Sequence, residues 1–440
     1  MSFDLPTLPA HWSYVPLGQL AQKNSVTYGV VQPGTHFLEG VPIVRVNNFS
    51  DGRIECSDLM CIDPAIDAKY SRTRLKGGEV LLTLVGSVGQ VAVASKKLKG
   101  FNVARAVAVI HPIDSVEAEW IALCLRSPLS KHLLGSRANT TVQTTINLKD
   151  LRELPIPFPP ESERKEITAA LGALDSCIAV LHETNATLQS IAQTIFKSWF
   201  VDFNPVHAKS ESRAPSYIDT GTADLFPNDF ESSAVGQVPK GWKFGILGDI
   251  AQTVTRKATV SEFNDQLNYV GLEHIPRKSL SLINWGCADG LASSKSVFSK
   301  TDILFGKLRP YFHKVVIAPI DGVCSTDVLV CQPKVNDYYG IVLMHLFSES
   351  LISYANRLSN GAKMPRVSWK DLAAYPMCIP PSDIAMSFNS VILPMVGEII
   401  SNIEQIQTVI QLRETLLPKL ISGEVRLQEG ETIVDGAVYA

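Results

Sequence analysis

The chain has 440 residues, of which 45% are hydrophobic and 19% charged, and its formal net charge is −3. This composition excludes a disordered protein, and the length exceeds what one hydrophobic core supports, so we expect two or three domains. The charge is unevenly distributed. Residues 1–160 hold 16 Lys and Arg against 13 Asp and Glu, and residues 236–380 hold 16 against 11. Residues 161–235 hold 5 against 11, and residues 381–440 hold 3 against 8, so two basic segments alternate with two acidic ones.

The sequence also argues against several kinds of site and cellular location. The apolar window at residues 80–94 is too short and too polar to span a bilayer. The first twelve residues have neither a basic run nor an apolar core, so no signal peptide is expected. The eight cysteines form no CxxC pair, which argues against a zinc ribbon or a redox dithiol. We therefore expect a cytoplasmic protein with no metal site and no membrane contact.

The chain repeats itself. Residues 8–22 read LPAHWSYVPLGQLAQ, and residues 238–252 read VPKGWKFGILGDIAQ. Residues 147–160, NLKDLRELPIPFPP, parallel residues 368–381, SWKDLAAYPMCIPP. Each repeat ends in a double proline followed by a long helical pattern, so the predicted order is globular, helix, globular, helix. Inside each repeat, short apolar runs read as strands and alternate irregularly with helical segments, which predicts an α+β domain.

The helical pattern that follows the first repeat spans about residues 161–203. Its apolar residues recur with a mean period of 3.5, which is typical of a coiled-coil helix. Asn185 is the polar member of this series, and it either fixes the helix register or faces water. The predicted seam residues are Leu171, Leu174, Ile178, Leu181, Asn185 and Leu188.

A second seam lies near the end of the chain and comprises Ile399, Ile403, Ile406 and Ile410. Pro394 predicts that the regular helix begins or kinks near that residue, and Pro418 suggests another kink. Two seams in one chain can satisfy each other, most simply as an antiparallel pair. The predicted boundaries are a first globular domain at 1–160, a central helix at 161–203, a connector at 204–236, a second globular domain at 237–381, a C-terminal helix at 382–426 and a tail at 427–440.

Catalytic motifs are absent from the sequence. It contains no G-x-x-x-x-G-K-[ST] loop, no G-x-G-x-x-G after a strand and no G-x-S-x-G elbow. The segment DFNP at residues 202–205 lacks the second proline and the aromatic residue of the amino-methyltransferase signature. We therefore expect a protein that is not an enzyme.

Several segments together resemble the specificity (S) subunit of type I restriction–modification systems. They are LQSIAQTIFKSWFVDFNPV at 188–206, DILFGKLRPYFHKV at 302–315, GVCSTDVLV at 322–330 and LRETLLPKLISGEV at 412–425. The resemblance covers the whole chain. It implies an α+β fold with two tandem α/β target-recognition domains, separated by two long helices that form an antiparallel coiled coil.

The resemblance also implies the partners. Each target-recognition domain would read one half of a split double-stranded DNA target, and the helices would dock two methyltransferase subunits. S-adenosylmethionine would be bound by those methyltransferases, and ATP and Mg by two further restriction and motor subunits, so this chain itself would bind no cofactor.

Candidate DNA-contacting residues are polar or basic and lie in predicted strands and turns, as direct readout requires. In the second repeat, alternation along a strand–turn element would place Lys307, Arg309 and Tyr311 on one face. The full set predicted for the second repeat is Lys307, Arg309, Tyr311, Ser325, Thr326, Lys363 and Arg366. The set for the first repeat is Arg45, Asn47, Asn48, Thr83, Ser87, Arg105, Thr141, Gln143 and Thr144. Each of these could instead be an ordinary surface or turn residue.

Two other interpretations remain open at this point. A stand-alone coiled-coil DNA-binding regulator would need no methyltransferase, but no helix-turn-helix is evident in the sequence and the total charge is not basic. A coiled-coil scaffold without DNA leaves the basic character of both globular segments unexplained.

Overall fold

The structure is a computed structural model, and it describes residues 5–50, 52–56, 58–136, 145–216, 218–233, 236–359 and 364–427. The chain forms two compact units. Unit 1 comprises residues 1–176 and 410–440, and unit 2 comprises residues 177–409. Each unit combines short strands, short helices and part of two long helices, which confirms the α+β class.

Unit 1 is built around a four-stranded sheet and a three-stranded sheet. The four-stranded sheet has the order Thr27–Tyr28, Val107–Ile110, Val80–Thr83, Val91–Val93, and all its pairings are antiparallel. In the three-stranded sheet, Val41–Val44 pairs antiparallel with Met60–Ile62 and parallel with Asn102–Val103. The remaining strand pairs are Ser13–Pro16 with Pro155–Phe158 and Phe49–Ser50 with Arg53–Ile54. The short helices are Leu17–Leu20, Pro64–Lys69, Ala118–Arg126, Pro128–Ser136 and Leu148–Arg152.

Unit 2 has the same plan with two additional strands in one sheet. Its four-stranded sheet has the order Ala251–Thr253, Val328–Pro333, Ile303–Gly306, Val315–Ile317. Its five-stranded sheet has the order Lys257–Ala258, Lys295–Phe298, Gly322–Cys324, Asn268–Val270, Gly286–Cys287. Two further pairs are Lys243–Ile246 with Pro376–Ile379 and Phe230–Ser233 with Gly236–Pro239. The short helices are Asn204–Ser210, Thr220–Leu225, Leu247–Ile250, Tyr339–Leu346, Glu349–Leu358 and Trp369–Ala373.

The sequence repeat has an equivalent in the strand pairings of the two units. In unit 1 Thr83 pairs with Val107, and in unit 2 Gly306 pairs with Val328. Each unit also has a parallel strand pair, Val41–Val44 with Asn102–Val103 in unit 1 and Asn268–Val270 with Gly322–Cys324 in unit 2. These registers make position 83 equivalent to position 306 and position 106 equivalent to position 327.

The central helix, Glu161–Phe200, and the C-terminal helix, Ser382–Ser422, run antiparallel. In unit 1 the start of the central helix packs on the end of the C-terminal helix, through Ile167 and Leu171 with Leu417 and Leu420. In unit 2 the end of the central helix, including Phe200, shares a core with the start of the C-terminal helix, including Phe388. Burial of apolar side chains on both helices explains why neither seam is left in water.

The predicted seam residues differ in burial. Leu171, Ile178, Asn185, Ile399, Ile403 and Ile406 are buried, whereas Leu174, Leu181, Leu188 and Ile410 are half-buried. In unit 2 the Nδ2 of Asn402 donates to the Oδ1 of Asn185 at 2.8 Å, and the Nδ2 of Asn185 donates to the carbonyl of Ile399 at 3.4 Å. The polar member of the first seam therefore meets a second asparagine and does not face water.

Of the two effects predicted for Pro394, a start or a kink, the structure excludes a start. The helix begins at Ser382 and includes both Pro394 and Pro418. A proline removes one backbone donor from a helix but does not by itself end it when packing holds the flanking turns. Here the flanking side chains Phe388, Ile392 and Val396 are buried in the core of unit 2.

Composition alone makes the C-terminal helix long and apolar enough to cross a membrane, with a mean hydropathy of 1.5 over an 18-residue window. Of that window, 44% is buried inside the protein. The packing of Ile384, Phe388 and Ile392 in the core of unit 2 accounts for this apolar character.

Candidate functional site

The loop that follows strand Ile303–Gly306 in unit 2 carries three of the predicted residues. The strand ends at Gly306, Arg309 is in the left-handed region with φ of +51°, and Pro310–Phe312 is a 3-10 turn. Strand alternation therefore does not extend through Lys307, Arg309 and Tyr311, and the prediction that it places them on one face is wrong. They are carried by a tight loop, in which Tyr311 is exposed and Lys307 and Arg309 are half-buried.

Backbone hydrogen bonds join this loop to two other segments. The N–H of Lys307 donates to the carbonyl of Asp327 at 2.9 Å. The N–H of Arg309 donates to the carbonyl of Pro365 at 2.7 Å, and Val367 N–H donates to the Lys307 carbonyl at 3.1 Å. Segments 307–309, 325–327 and 365–367 thus form one connected surface, which we call the unit 2 loop junction.

Each segment of the unit 2 loop junction contributes polar side chains. Arg366 is exposed and forms an ion pair with Asp327, with its Nε 3.3 Å from Oδ1. Thr326 is exposed, whereas the half-buried Ser325 uses its Oγ to accept the Asp327 N–H at 3.3 Å. The junction therefore presents mainly basic groups together with one carboxylate.

An aromatic and basic cluster flanks the junction. The guanidinium of Arg277 lies 3.9 Å from the centre of the Phe312 ring, and the Tyr311 ring centre lies 4.7 Å from that of Phe312. The loop ends at His313, whose buried imidazole contacts the Phe347 carbonyl through Nε2 at 3.0 Å. Burial lowers the pKa of this imidazole, although the neighbouring Glu349 opposes the shift. This anchoring holds Tyr311 at the surface.

Unit 1 contains an equivalent junction. The N–H of Leu84 donates to the Ala106 carbonyl at 2.7 Å, and the N–H of Ile146 donates to the Leu84 carbonyl at 3.1 Å. Val85 pairs with Thr145 as Leu308 pairs with Arg366. The segments 84–86, 104–106 and 145–146, the unit 1 loop junction, repeat two of the three backbone hydrogen bonds of the unit 2 loop junction.

The side chains at the two junctions differ. Gly86, with φ of +83°, stands where unit 2 has Arg309, and Leu84 stands where unit 2 has Lys307. The exposed Arg105 occupies the position of Thr326. The same scaffold therefore carries different polar groups, and in unit 1 the positive charge comes from a different segment.

Two predicted DNA-contacting residues of unit 1 are committed to internal hydrogen bonds. Thr83 is fully buried, and its Oγ1 donates to the Ser87 carbonyl at 2.5 Å and accepts the Gln90 N–H at 2.9 Å. Asn48 is 2% exposed; its Oδ1 accepts the Arg45 N–H at 2.9 Å and its Nδ2 donates to the Asp58 carbonyl at 3.1 Å. Both residues shape loops, and neither side chain reaches the surface.

The other predicted residues of unit 1 that the structure describes are accessible. Asn47, Ser87 and Arg105 are exposed, and Arg45 is half-buried with its Nη2 3.5 Å from the Asp58 carbonyl. Arg105 borders the unit 1 loop junction, while Arg45 and Asn47 follow strand Val41–Val44. Thr141, Gln143, Thr144 and Lys363 lie outside the described residues.

Sequence reasoning missed two residues of the unit 2 surface. Asp327 is a carboxylate, whereas DNA contacts are expected of basic and amide groups, so its residue type does not predict it; the strand registers place it opposite Ala106. Arg277 comes from a loop distant in sequence, and only the fold brings it onto Phe312. Within the described parts of the chain, no group of three or more His, Cys, Asp or Glu residues is placed to hold a metal ion.

Comparisons with known proteins agree with one another. Residues 10–190 match the family model described as the type I restriction modification DNA specificity domain. The chain is 26% identical over 366 residues to the type I restriction enzyme MjaIX specificity subunit of Methanocaldococcus jannaschii, covering 80% of this chain and 78% of that protein. It is 29% identical over 199 residues to the EcoBI specificity subunit of Escherichia coli, covering 44% and 42%.

Among solved structures, the type I restriction–modification S subunit from M. genitalium is similar, with 15% identity and a TM-score of 0.49. The match covers 94% of this chain and 98% of that one.

Proposed function

Because this chain belongs to the family of type I restriction–modification specificity subunits, which recognise DNA and are not catalytic, we propose that each of its two units reads one half of a bipartite target. The observation that carries this proposal is the duplicated loop junction. One scaffold occurs once in each unit, and its side chains differ at equivalent positions. Two readers of different sequence require this arrangement, because base contacts specify the sequence whereas a common scaffold positions them.

The charge distribution supports the same assignment. The basic segments, 1–160 and 236–380, contain the loop junctions, and the acidic segments contain the long helices. Phosphate attraction supplies much of DNA affinity, so basic units suit DNA and acidic helices suit proteins. We propose globular domains at 1–160 and 237–381. The central helix and the connector lie between them in sequence, and the C-terminal helix follows the second domain.

We further propose that the long helices dock two methyltransferase subunits. On the central helix within unit 2, Val180 and Ile191 are 61% and 42% exposed, and they share one helix face with Thr184 and Thr187. On the C-terminal helix, Met386 and Leu393 are also exposed. Apolar side chains outside the seam are a suitable contact for a protein partner. The partner methyltransferases would bind S-adenosylmethionine, and associated motor subunits would bind ATP and Mg. The whole complex would act in the cytoplasm.

Co-purification tests both parts of the proposal. The chain is co-expressed with its cognate methyltransferase, and the purified complex is tested for a shift of duplex DNA and for methylation. Val180→Glu with Ile191→Glu should prevent co-elution, because it places charge on the proposed docking face. Ala186→Glu, at an exposed position on a different face of the same helix, is the matched control and should co-elute.

The outcomes separate the alternatives. A wild-type chain that binds neither methyltransferase nor DNA in its presence contradicts the proposal. A chain that binds a specific duplex equally well without the methyltransferase is instead a stand-alone regulator.

A further inference from the structure

The side chains of Asp327 and Arg366 are held together by the unit 2 loop junction. The Asp327 carbonyl accepts a hydrogen bond from Lys307, and Arg366 pairs with Leu308 across an antiparallel bridge. Both residues are therefore fixed to the same three-residue segment through their backbones. Their side chains meet because this scaffold places them side by side.

The contact uses one edge of the guanidinium. The Nε of Arg366 lies 3.3 Å from Oδ1 of Asp327, and its Nη2 lies 3.3 Å from Oδ2. A guanidinium carries five N–H donors in a rigid plane, and this contact occupies the Nε and Nη2 edge. The terminal edge, formed by Nη1 and Nη2, still has N–H groups to offer. The Arg366 side chain is 55% exposed and that of Asp327 is 24% exposed, so the arginine lies on the solvent side of the pair.

A structural role does not account for the pair. Partly exposed ion pairs contribute little to folding stability. A carboxylate on a DNA-binding surface also repels phosphates, so Asp327 lowers general DNA affinity. Its position among Lys307, Arg309 and Arg366 therefore requires another explanation.

The repeat supplies an internal comparison. At the unit 1 loop junction, Ala106 stands in place of Asp327 and Thr145 in place of Arg366, while two of the three backbone hydrogen bonds and the antiparallel bridge occur in both units. The scaffold thus forms without either charge. The Asp327–Arg366 pair is an addition specific to unit 2, as expected of a residue pair that determines sequence preference.

We propose that Arg366 reads a guanine in the half-target of unit 2 and that Asp327 is its positioning residue. The terminal N–H groups of Arg366 donate to O6 and N7 of the guanine in the major groove, the acceptor pair that distinguishes G·C from the other base pairs. Asp327 fixes the plane of the guanidinium by holding its other edge. This inference rests on the proposed function and adds the identity of one recognised base.

The test uses the complex of the full chain with its methyltransferase. Binding is measured on the native target and on duplexes that carry every single base-pair change in both halves. The wild-type complex should prefer G·C at one position of one half, by about 5- to 150-fold as expected for a bidentate arginine contact. Asp327→Asn and Arg366→Lys should each remove most of that preference and leave the preferences at the other positions unchanged.

Two controls exclude a general structural effect. Glu211→Gln breaks an exposed arginine–carboxylate pair elsewhere in unit 2, in which Arg213 Nε donates to Glu211 Oε2 at 2.8 Å, and it should leave the whole profile unchanged. Binding to unrelated DNA should be equal or tighter for Asp327→Asn, because a negative charge is removed. If Asp327 had only a folding role, Asp327→Asn would instead weaken binding to every duplex by the same factor.

The results distinguish this inference from the proposed function. A wild-type complex without any sequence preference contradicts the proposed function itself. A wild-type complex that is specific, combined with an Asp327→Asn profile that is unchanged or evenly weakened at all positions, overturns the assignment of Asp327 and leaves the function standing. A preference for a base other than guanine at the position that responds to Arg366→Lys overturns the assignment of the base.

Discussion

His345 in unit 2 is a buried histidine. It lies on helix Tyr339–Leu346, is 7% exposed, and neither Nδ1 nor Nε2 has a hydrogen-bond partner among the described residues. The Phe196 ring packs edge-on against it with centres 4.8 Å apart. Burial lowers the pKa of this imidazole to about 3 from its ordinary value of 6.5.

The depressed pKa predicts acid sensitivity. In the unfolded chain His345 takes up a proton as the pH falls below about 6.5, whereas in the folded chain it stays neutral until about pH 3. Stability is therefore fully present above pH 6.5 and declines between pH 6.5 and pH 3, by roughly 2 kcal/mol between pH 7 and pH 5. Urea unfolding at the two pH values should show that His345→Leu loses less stability than wild type, by about this amount. His207→Gln, at an exposed position, should behave as wild type, and an unchanged pH dependence in His345→Leu would refute the argument.

Individual polar residues were the least predictable part of the candidate site. Thr83 and Asn48 have the residue types of base readers, yet their hydrogen bonds to Ser87, Gln90 and Asp58 are internal. These three partners are not identifiable from the local sequence, because the loop geometry decides which group each side chain faces. Asp327 was missed for the opposite reason, since its function in this account depends on a neighbour 39 positions away in the chain.

At the scale of elements, the long helices were predictable because a 3.5-residue apolar period has few alternative explanations. The ends of the helices were less predictable, because the burial of Phe388, Ile392 and Val396 overcomes the helix-breaking tendency of Pro394. Arg413 interrupts the second seam in sequence. In unit 1 its Nη1 donates to Asp175 at 2.8 Å, and Asp175 also accepts from Arg126 at 2.9 Å. Through Asp175, Arg413 therefore links the C-terminal helix to the central helix and to helix Ala118–Arg126.

The buried asparagine pair makes a prediction about the helix seam. Asn185→Leu removes the acceptor of the Asn402 amide at 2.8 Å and leaves that amide buried without it. We expect a loss of roughly 1–3 kcal/mol, the usual cost of an unsatisfied buried polar group. The double variant Asn185→Leu with Asn402→Leu should recover much of this loss, because both polar groups are gone.

Urea unfolding of the three proteins measures these differences. Thr187→Leu, at an exposed position of the same helix, is the control and should change stability little. A single variant as stable as wild type, or a double variant no better than the single one, would show that the pair does not act as a unit.

At the scale of the molecule, duplication was visible in the sequence because both ends of each repeat match. Trp12 and Trp242, which correspond in the two repeats, are both buried, as expected of anchors of equivalent cores. Tertiary detail was not visible. The two backbone hydrogen bonds that the loop junctions share join segments separated by up to about 60 residues, and the sequences of those segments differ between the repeats. The predicted connector at 204–236 contains helices Asn204–Ser210 and Thr220–Leu225 and the strand Phe230–Ser233, which pairs with Gly236–Pro239.

If each unit reads one half of a bipartite target, the methylated adenines of a genome that carries the complete system should record both halves. The wild-type chain should produce one motif of two separated halves. Arg309→Ala with Arg366→Ala, in the unit 2 loop junction, should abolish methylation of the native target while the chain still co-elutes with its methyltransferase, and any methylation that remains should be relaxed in one half only. A single continuous motif, or a motif unchanged in the double variant, would contradict the account.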